Sequence, residues 1–272
     1  MTVTLEIICV GNELLIGKVV NTNASWLGRR ATSLGASVSR ITVAPDDVEE
    51  IARVVREALR RKPRFIVTTG GLGPTFDDKT LKGIAKALGR SLEVNGAGLE
   101  MVRAKYAEYA RARNVGVGEM TAPRVKMATL PEGTAPLPNP VGTAPGVLTE
   151  VEGTVLVALP GVPEEMEAIF DASVAPLLRR ASGGVGFFER SIFADSVMES
   201  VLAPLIDEVM RDNPGVHIKS HPKGRENRPY MELHLSMSGD PSEKPEERLK
   251  QAAAQLAALI EKAGGRVVAQ EP

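Results

Sequence analysis

The opening segment, Val3 to Val10, constrains the fold more than any other stretch of the chain. It is a near-continuous apolar run with β-branched residues. A strand with one wet face alternates, whereas one covered on both faces does not, so the run reads as a buried strand of a parallel sheet. It stops at Gly11-Asn12-Glu13. A helix is expected from about Asn23 to Leu34, with Trp26, Leu27 and Leu34 apolar. Asn21, Thr22 and Asn23 can cap its start and Gly35 can end it. A second strand, Ser37 to Val43, runs into Ala44-Pro45-Asp46-Asp47. The next helix spans about Asp47 to Arg61, with Ile51, Val54, Val55, Ala58 and Leu59 on its apolar face. Asp46 and Glu49 have the spacing of a capping box. A third strand, Arg64 to Thr69, enters a glycine loop, and a helix over about Asp78 to Leu88 closes at Gly89. This alternation predicts an α/β fold with a mostly parallel sheet and right-handed crossovers. Ligands of such sheets bind beyond the carboxyl ends of the strands, so the loops just named should share one rim.

The pattern continues with a helix from Gly98 to Arg113, carrying Met101, Val102, Tyr106 and Tyr109 on or near one face. A loop-rich stretch follows from Thr121 to Gly146. Val155 to Leu159 is another buried strand, and a helix runs from Pro163 to about Arg180, with Pro163 suited to its first turn. Ala181 to Gly186 reads as a linker. Beyond it come strands at Phe188 to Phe193, Val216 to Ser220, Tyr230 to Met237 and Arg266 to Ala269. Helices are expected at Met198 to Met210 and Glu246 to Ala263. The 272 residues therefore divide into a first domain over 1–180 and a small α+β module over 187–272.

Lys plus Arg is 33 and Asp plus Glu is 34, a net charge of −1. Bulk charge gives no support to a nucleic-acid partner, and Arg60-Arg61-Lys62 reads as a solvated helix end. The single cysteine, Cys9, excludes an intramolecular disulfide and a multi-cysteine zinc site, and packs as a small core residue. No apolar run approaches the ~20 residues of a membrane span, and no signal peptide is evident. The expected location is cytoplasmic, with no membrane partner and a homo-oligomer, a dimer in the simplest case, as the expected assembly.

Candidate chemistry gathers on the rim. In Thr68-Thr69-Gly70-Gly71-Leu72-Gly73-Pro74-Thr75-Phe76-Asp77-Asp78, three glycines in four residues let the backbone turn sharply and approach a ligand closely. The following helix start favours a phosphate. The same pattern also suits a tight strand-to-helix turn capped by Asp78, and it is neither a Walker loop nor a dinucleotide fingerprint. Asp77 and Asp78 would repel a phosphate unless a cation intervened, which argues for a divalent metal, Mg²⁺ or similar, held through carboxylate, phosphate and water. Such an ion could polarise a phosphoryl oxygen and generate hydroxide. Asp46-Asp47 and Glu13 bring further acids to the same rim. Asn139-Pro140-Val141-Gly142-Thr143-Ala144-Pro145-Gly146 is a second candidate cradle, or an ordered turn; the loop at Gly161 faces the same rim. His217, His221 and His234 lack an obvious third ligand for a metal. Lys219, Lys223, Arg225 and Arg228 read as a solvated hairpin. No Gly-x-Ser-x-Gly elbow occurs.

Four blocks carry a family resemblance. Gly11-Asn-Glu-Leu-Leu-Ile-Gly-Lys-Val-Val-Asn-Thr-Asn23, Thr68 to Thr80, Asn139 to Gly146, and Leu159-Pro-Gly-Val-Pro-Glu-Glu165 resemble, in order and spacing, the competence/damage-inducible protein A (CinA) family. The resemblance covers about residues 3 to 175. The remainder resembles that family's small middle module, sometimes described as KH-type. The first domain is also similar to the three-layer molybdopterin-binding domain of molybdenum-cofactor biosynthesis proteins. There a Gly-Gly-x-Gly loop binds the pterin phosphate and a following Asp, matching Asp78, is important; the acid of the preceding loop matches Asp46, less surely Asp47. The resemblance implies metal-dependent hydrolysis of the pyrophosphate of ADP-ribose or a related dinucleotide. Asp78 and Asp46 would be catalytic, with Glu13 and Asp77 as further metal ligands. Gly11, Asn12, Asn23, Gly70, Gly71, Gly73, Pro74, Thr75, Asn139, Gly142, Thr143 and Gly161 would contact the ligand. Alternatives are a molybdopterin-binding or adenylyl-transferring protein, and a non-catalytic module that binds a nucleotide or pterin. Full-length relatives often add a nicotinamide mononucleotide deamidase domain, which this sequence, ending at Pro272, is not expected to supply. Phe76 stands where many relatives have proline, which should change loop stiffness more than chemistry.

Overall fold

The structure is a computed structural model that describes residues 3–116, 118–223 and 230–268. Arg225, Arg228 and the end of the last expected strand at Ala269 lie outside the described residues. The chain divides into two compact units, with the boundary after Ser182.

The first unit begins with β1 (Val3–Val10), α1 (Asn12–Leu15), α2 (Thr22–Ser33), β2 (Ala36–Ala44), α3 (Val48–Arg60), β3 (Phe65–Thr69) and α4 (Thr80–Leu88). It continues through β4 (Leu92–Val94), α5 (Gly96–Ala112), α6 (Ala122–Lys126), β5 (Thr129–Pro131), β6 (Ala135–Leu137), β7 (Gly146–Val151) and β8 (Thr154–Leu159). It ends with α7 (Pro163–Ile169) and α8 (Ala175–Ala181). The main sheet has the order β2-β1-β3-β8-β7-β6. Its first four strands are parallel neighbours, whereas β7 runs antiparallel to both β8 and β6. Cys9 aligns with Thr69, Thr69 with Leu159, and Val10 with Ala44. The carboxyl ends of β1, β2, β3 and β8 are therefore level. Because β7 reverses direction, the loop between β6 and β7 returns to that same rim.

Buried β strands explain why the apolar runs lack alternation. Ile8, Val10, Ile66, Leu156 and Ala158 pack with Ile51, Val54, Val55 and Ala58 of α3 and Ile84 of α4. Side chains alternate across a strand, so Ile7, Cys9, Val67 and Val157, each at most 1% exposed, point to the other face. There α2 meets the Pro163–Ala181 helical segment through an edge-on contact between Trp26 and Phe170 and an ion pair between Arg30 and Asp171, 2.7 Å apart. Helix, sheet and helix make three layers, the α/β architecture expected.

Several local expectations are corrected. The stretch from Thr121 to Gly146 is not continuous loop but contains α6, β5 and β6. Strands β4 and β7 also escaped the pattern, being short or edge-like. The helix after Pro163 is interrupted by a π turn at Phe170–Val174; Pro176 follows it and cannot donate a backbone hydrogen bond, which is a common cause of such turns. The cap of α3 is Asp47, which accepts from the N–H groups of Glu49 and Glu50, so the Asp46–Glu49 box does not form. Helix α4 starts at Thr80 rather than Asp78, and Asp78 does not cap it. Arg61 is not merely solvated: it makes a two-pronged contact with Glu6 on β1, Nε to Oε1 at 2.8 Å and Nη2 to Oε2 at 2.7 Å. Cys9 is buried, and burial pushes its thiol pKa up.

The second unit holds β9 (Gly186–Asp195), α9 (Glu199–Asp212), β10 (His217–Pro222), β11 (Tyr230–Gly239), α10 (Pro245–Lys262) and β12 (Arg266–Val268). Its sheet, β10-β11-β9-β12, is antiparallel throughout. One face packs Leu233, Leu235 and Met237 against Leu202, Ile206 and Val209 of α9 and Leu249, Leu256 and Ile260 of α10. Register puts His217, His221 and His234 on the opposite face, with the rings of His221 and His234 6.4 Å apart. Among the described residues, no three His, Cys, Asp or Glu side chains gather where they could hold a metal ion. No helix of the described residues is long and apolar enough to cross a membrane.

Candidate functional site

The level strand ends open into a cleft of about 460 Å³. It receives Gly11 and Glu13 from the end of β1, Asp46 from β2, Gly70 to Pro74 with Asp77 and Asp78 from β3, Thr143 from the β6–β7 loop, and Gly161 and Glu165 from β8. Five loops far apart in sequence thus converge because the parallel strands end together. Of the remaining candidates, Asn23 also lines the cleft, whereas Asn12, Thr75, Asn139 and Gly142 shape its walls from behind.

The glycine loop is shaped by backbone approach. Gly70 (φ 104°) and Gly71 (φ 66°) are consecutive left-handed residues. A side chain at Gly70 would collide with the Val10 carbonyl oxygen, and one at Gly71 with the Thr80 hydroxyl. Thr80 closes the loop by donating its hydroxyl to Gly70 O (2.7 Å) and its N–H to Gly71 O (3.2 Å). The Gly70 N–H is used by Leu159 O at 3.0 Å. The next three N–H groups, of Gly71, Leu72 and Gly73, have no hydrogen-bond partner among the described residues. Consecutive unpaired N–H groups after left-handed residues form an anion-binding concavity.

Asp78 fastens the far side of this loop. Its Oδ2 accepts from the Thr75 N–H at 2.8 Å and from the Thr75 hydroxyl, while Oδ1 has no partner among the described residues. A side chain at Gly73 would lie 2.7 Å from that carboxylate. Asp77 is exposed, and its hydrogen bond from Thr75 holds its pKa below the usual carboxylate value, with Lys126 and Lys79 adding to the effect. Lys126 was not foreseen. Its ammonium donates to the carbonyls of Gly73 (3.1 Å), Thr75 and Asp78 (2.9 Å), gathering the loop from beneath. Burial pushes its pKa down and Asp78 partly offsets this. No motif marks it: it is a lone lysine at the end of a five-residue helix in a stretch read as loop.

On the opposite flank, Asn12 and Asp46 lock β1 to β2. The Asn12 N–H donates to Asp46 Oδ2 at 2.8 Å, and the Asp46 N–H donates to Asn12 Oδ1 at 3.3 Å. Because Asp47 takes the capping role, Asp46 keeps its Oδ1 without a partner among the described residues. The Glu13 side chain folds back over Gly11. Asn23 is a strut: its amide donates to the Thr69 hydroxyl (3.0 Å) and Gly161 O (2.9 Å), and the Thr69 hydroxyl donates to Pro160 O (2.7 Å). These bonds tie α2 to the ends of β3 and β8. Gly161 approaches Gly70 so closely that a side chain on it would lie 3.3 Å from the Gly70 Cα.

The second loop is braced from within by one buried amide. Asn139, 6% exposed, accepts the N–H groups of Val141 (3.1 Å) and Gly142 (2.7 Å) and donates to Ala144 O (2.8 Å) and Glu165 Oε2 (2.7 Å). The Gly142 N–H is therefore already satisfied, and the Glu165 carboxylate occupies the space a Gly142 side chain would need. Glu165 was visible only as part of the Leu159 to Glu165 block, with no chemistry attached to it.

Residues 6–180 match a family described as probable molybdopterin binding domain. A protein of Pyrobaculum calidifontis is 49% identical over 258 residues, covering 94% of this chain and 95% of that protein. One of Aeropyrum pernix is 45% identical over 262 residues, covering 96% of this chain and 95% of that protein. The crystal structure of the protein CinA, of unknown function, from Thermoplasma acidophilum is 41% identical. It covers 65% of this chain and 98% of that one, with a TM-score of 0.58.

Proposed function

The chain belongs to the family of probable molybdopterin binding domains, in its CinA-like form, and we propose that its cleft binds ADP-ribose or a related dinucleotide and hydrolyses the pyrophosphate. The observation that carries this reading is the run of three N–H groups without a partner among the described residues, at Gly71, Leu72 and Gly73, in a loop that lines the cleft together with Asp46 and Asp78. An anion fits the first feature. Carboxylates beside an anion fit only if a cation joins them.

The donor set suits a hard divalent ion. Asp46 and Asp78 each present one oxygen with no partner among the described residues, and oxygen ligands are what Mg²⁺ takes. With no three-residue ligand cluster among the described residues, phosphate and water would complete the coordination, as is usual for Mg²⁺. When bound, such an ion neutralises phosphate charge and lowers the pKa of a water ligand. The chain's own part is positional. The glycine loop fixes one phosphate, with Thr75 and Pro74 at its edge. Lys126 and Thr80 hold the loop in shape, and the Asn12–Asp46 and Asn23–Thr69 bonds keep the acids and strand ends level. Positioning and charge complementarity are the main routes to catalysis for a displacement at phosphorus.

The test is direct. Purified protein incubated with ADP-ribose and Mg²⁺ or Mn²⁺ should release AMP and ribose 5-phosphate. A folded protein that hydrolyses nothing with any divalent ion would overturn the reading. Family membership favours one alternative, a pterin phosphate in the same cradle; thermal stabilisation by a molybdopterin precursor but not by ADP-ribose would select it.

A further inference from the structure

We propose that Glu165 recognises the vicinal diol of a ribose, so that the cleft selects ribonucleotides over their deoxy analogues; this rests on the nucleotide reading above and names the part of the ligand that the glycine loop does not reach.

The carboxylate is built into the wall. Glu165 lies in the first turn of α7, directly after β8, and lines the cleft that the glycine loop also lines. Its Oε2 accepts from Asn139 at 2.7 Å, and Asn139 is itself buried and fixed by three further hydrogen bonds within its loop. Its Oε1 has no hydrogen bond or ion pair among the described residues. The loop backbone is glycine where the carboxylate passes, since any side chain at Gly142 would collide with it. One oxygen is thus aimed by a buried amide while the other is left for something outside the chain.

Chemistry narrows what that something is. An ionised carboxylate only accepts hydrogen bonds, so this side of the cleft repels phosphate and calls for a group with donors. In a nucleotide the donor group one sugar away from the phosphate is the ribose 2′,3′-diol. The Oε1 atom, not held by Asn139, can accept from a hydroxyl of that diol, as an acid does from the ribose 2′-hydroxyl of a dinucleotide in other α/β folds. The cleft then divides by charge, with N–H donors at Gly71 to Gly73 for phosphate and the Glu165 acceptor for sugar.

The experiment uses the full chain, wild type and Glu165→Gln. Gln keeps an acceptor for Asn139 and the side-chain shape, so the loop stays stapled. Steady-state hydrolysis is measured with Mg²⁺ on ADP-ribose and on two analogues, each lacking the 2′-hydroxyl of one of its riboses. Hydrogen bonds to a charged group predict a wild-type preference of about 10- to 100-fold in kcat/KM for ADP-ribose over one of the analogues. The preference should collapse in Glu165→Gln, with the change carried by KM. Equal rates for all three substrates in the wild type, or a preference that survives in Glu165→Gln, would overturn the inference while leaving the pyrophosphatase reading intact. No turnover of ADP-ribose by the wild type would remove both.

Discussion

Asp78 has two duties that a single substitution can separate. One oxygen holds Thr75 and the shape of the loop; the other, without a partner among the described residues, is the one the proposed cation would take. Asp78→Asn retains an acceptor for the Thr75 N–H but removes the charge. We expect kcat on ADP-ribose to fall by roughly 10²–10³-fold, with Tm changed by only a few degrees; a variant with wild-type turnover would show that the acid has no role in the reaction. Lys126→Met addresses the same loop from below. It leaves three carbonyls without their shared donor, costing about 1–3 kcal/mol, and the loosened cradle should raise KM for ADP-ribose about tenfold; urea unfolding and steady-state kinetics read the two effects. The residue scale is also where sequence reading was weakest. Gly70 and Gly71 stood out as a pair, because glycine is favoured where φ is positive and where a neighbouring atom leaves no room for a Cβ. Lys126 and Glu165 did not, since a lysine or glutamate gains its meaning only from what a distant segment brings next to it. The resemblance favoured Asp46 over Asp47, and the cap of α3 at Asp47 gives a physical reason why the two differ.

At the scale of elements, the pattern of buried strands carried most of the fold. Short continuous apolar runs rich in β-branched residues and bounded by glycine and proline read as strands covered on both faces, and the level carboxyl ends follow from parallel pairing, so the rim was readable from the sequence. The short helices α1 and α6 and the strands β4 to β7 were not. Strands β4 to β7 are edge or hairpin pieces whose burial is set by their partners rather than by their own periodicity. A charged contact was also hidden. Glu6 is 3% exposed within an otherwise apolar strand, and its side chain is matched by Arg61 at the cap of α3. Removing one member strands a buried charge, so Arg61→Met should destabilise the first unit by about 3–5 kcal/mol. The double replacement Glu6→Leu with Arg61→Met should recover most of that loss, because a buried pair often contributes little net stability over apolar side chains of similar volume. Chemical denaturation of the wild type and the two variants checks this. Equal stability of the single and double variants would mean that the pair's desolvation cost is not what matters.

At the scale of the molecule, each unit has its own core. In the first, Ile8, Val10, Ile66 and Leu156 close against α3 and α4; in the second, Leu233, Leu235 and Met237 close against α9 and α10. Among the described residues, the four strands of the second unit form a sheet of their own. All the cleft residues, conversely, come from the first unit. If these cores are energetically as separate as their contacts, residues 183–272 expressed alone should fold. At this size, however, a single core supplies only a few kcal/mol, so the fragment should unfold at modest urea concentration with an m-value in proportion to its length. Residues 1–182 alone should retain the cleft and bind ADP-ribose with Mg²⁺ as the full chain does, measured by calorimetry. A first unit that folds, shown by circular dichroism and a cooperative melt, yet binds no ADP-ribose when the full chain does, would show that the ligand site needs residues from the second unit.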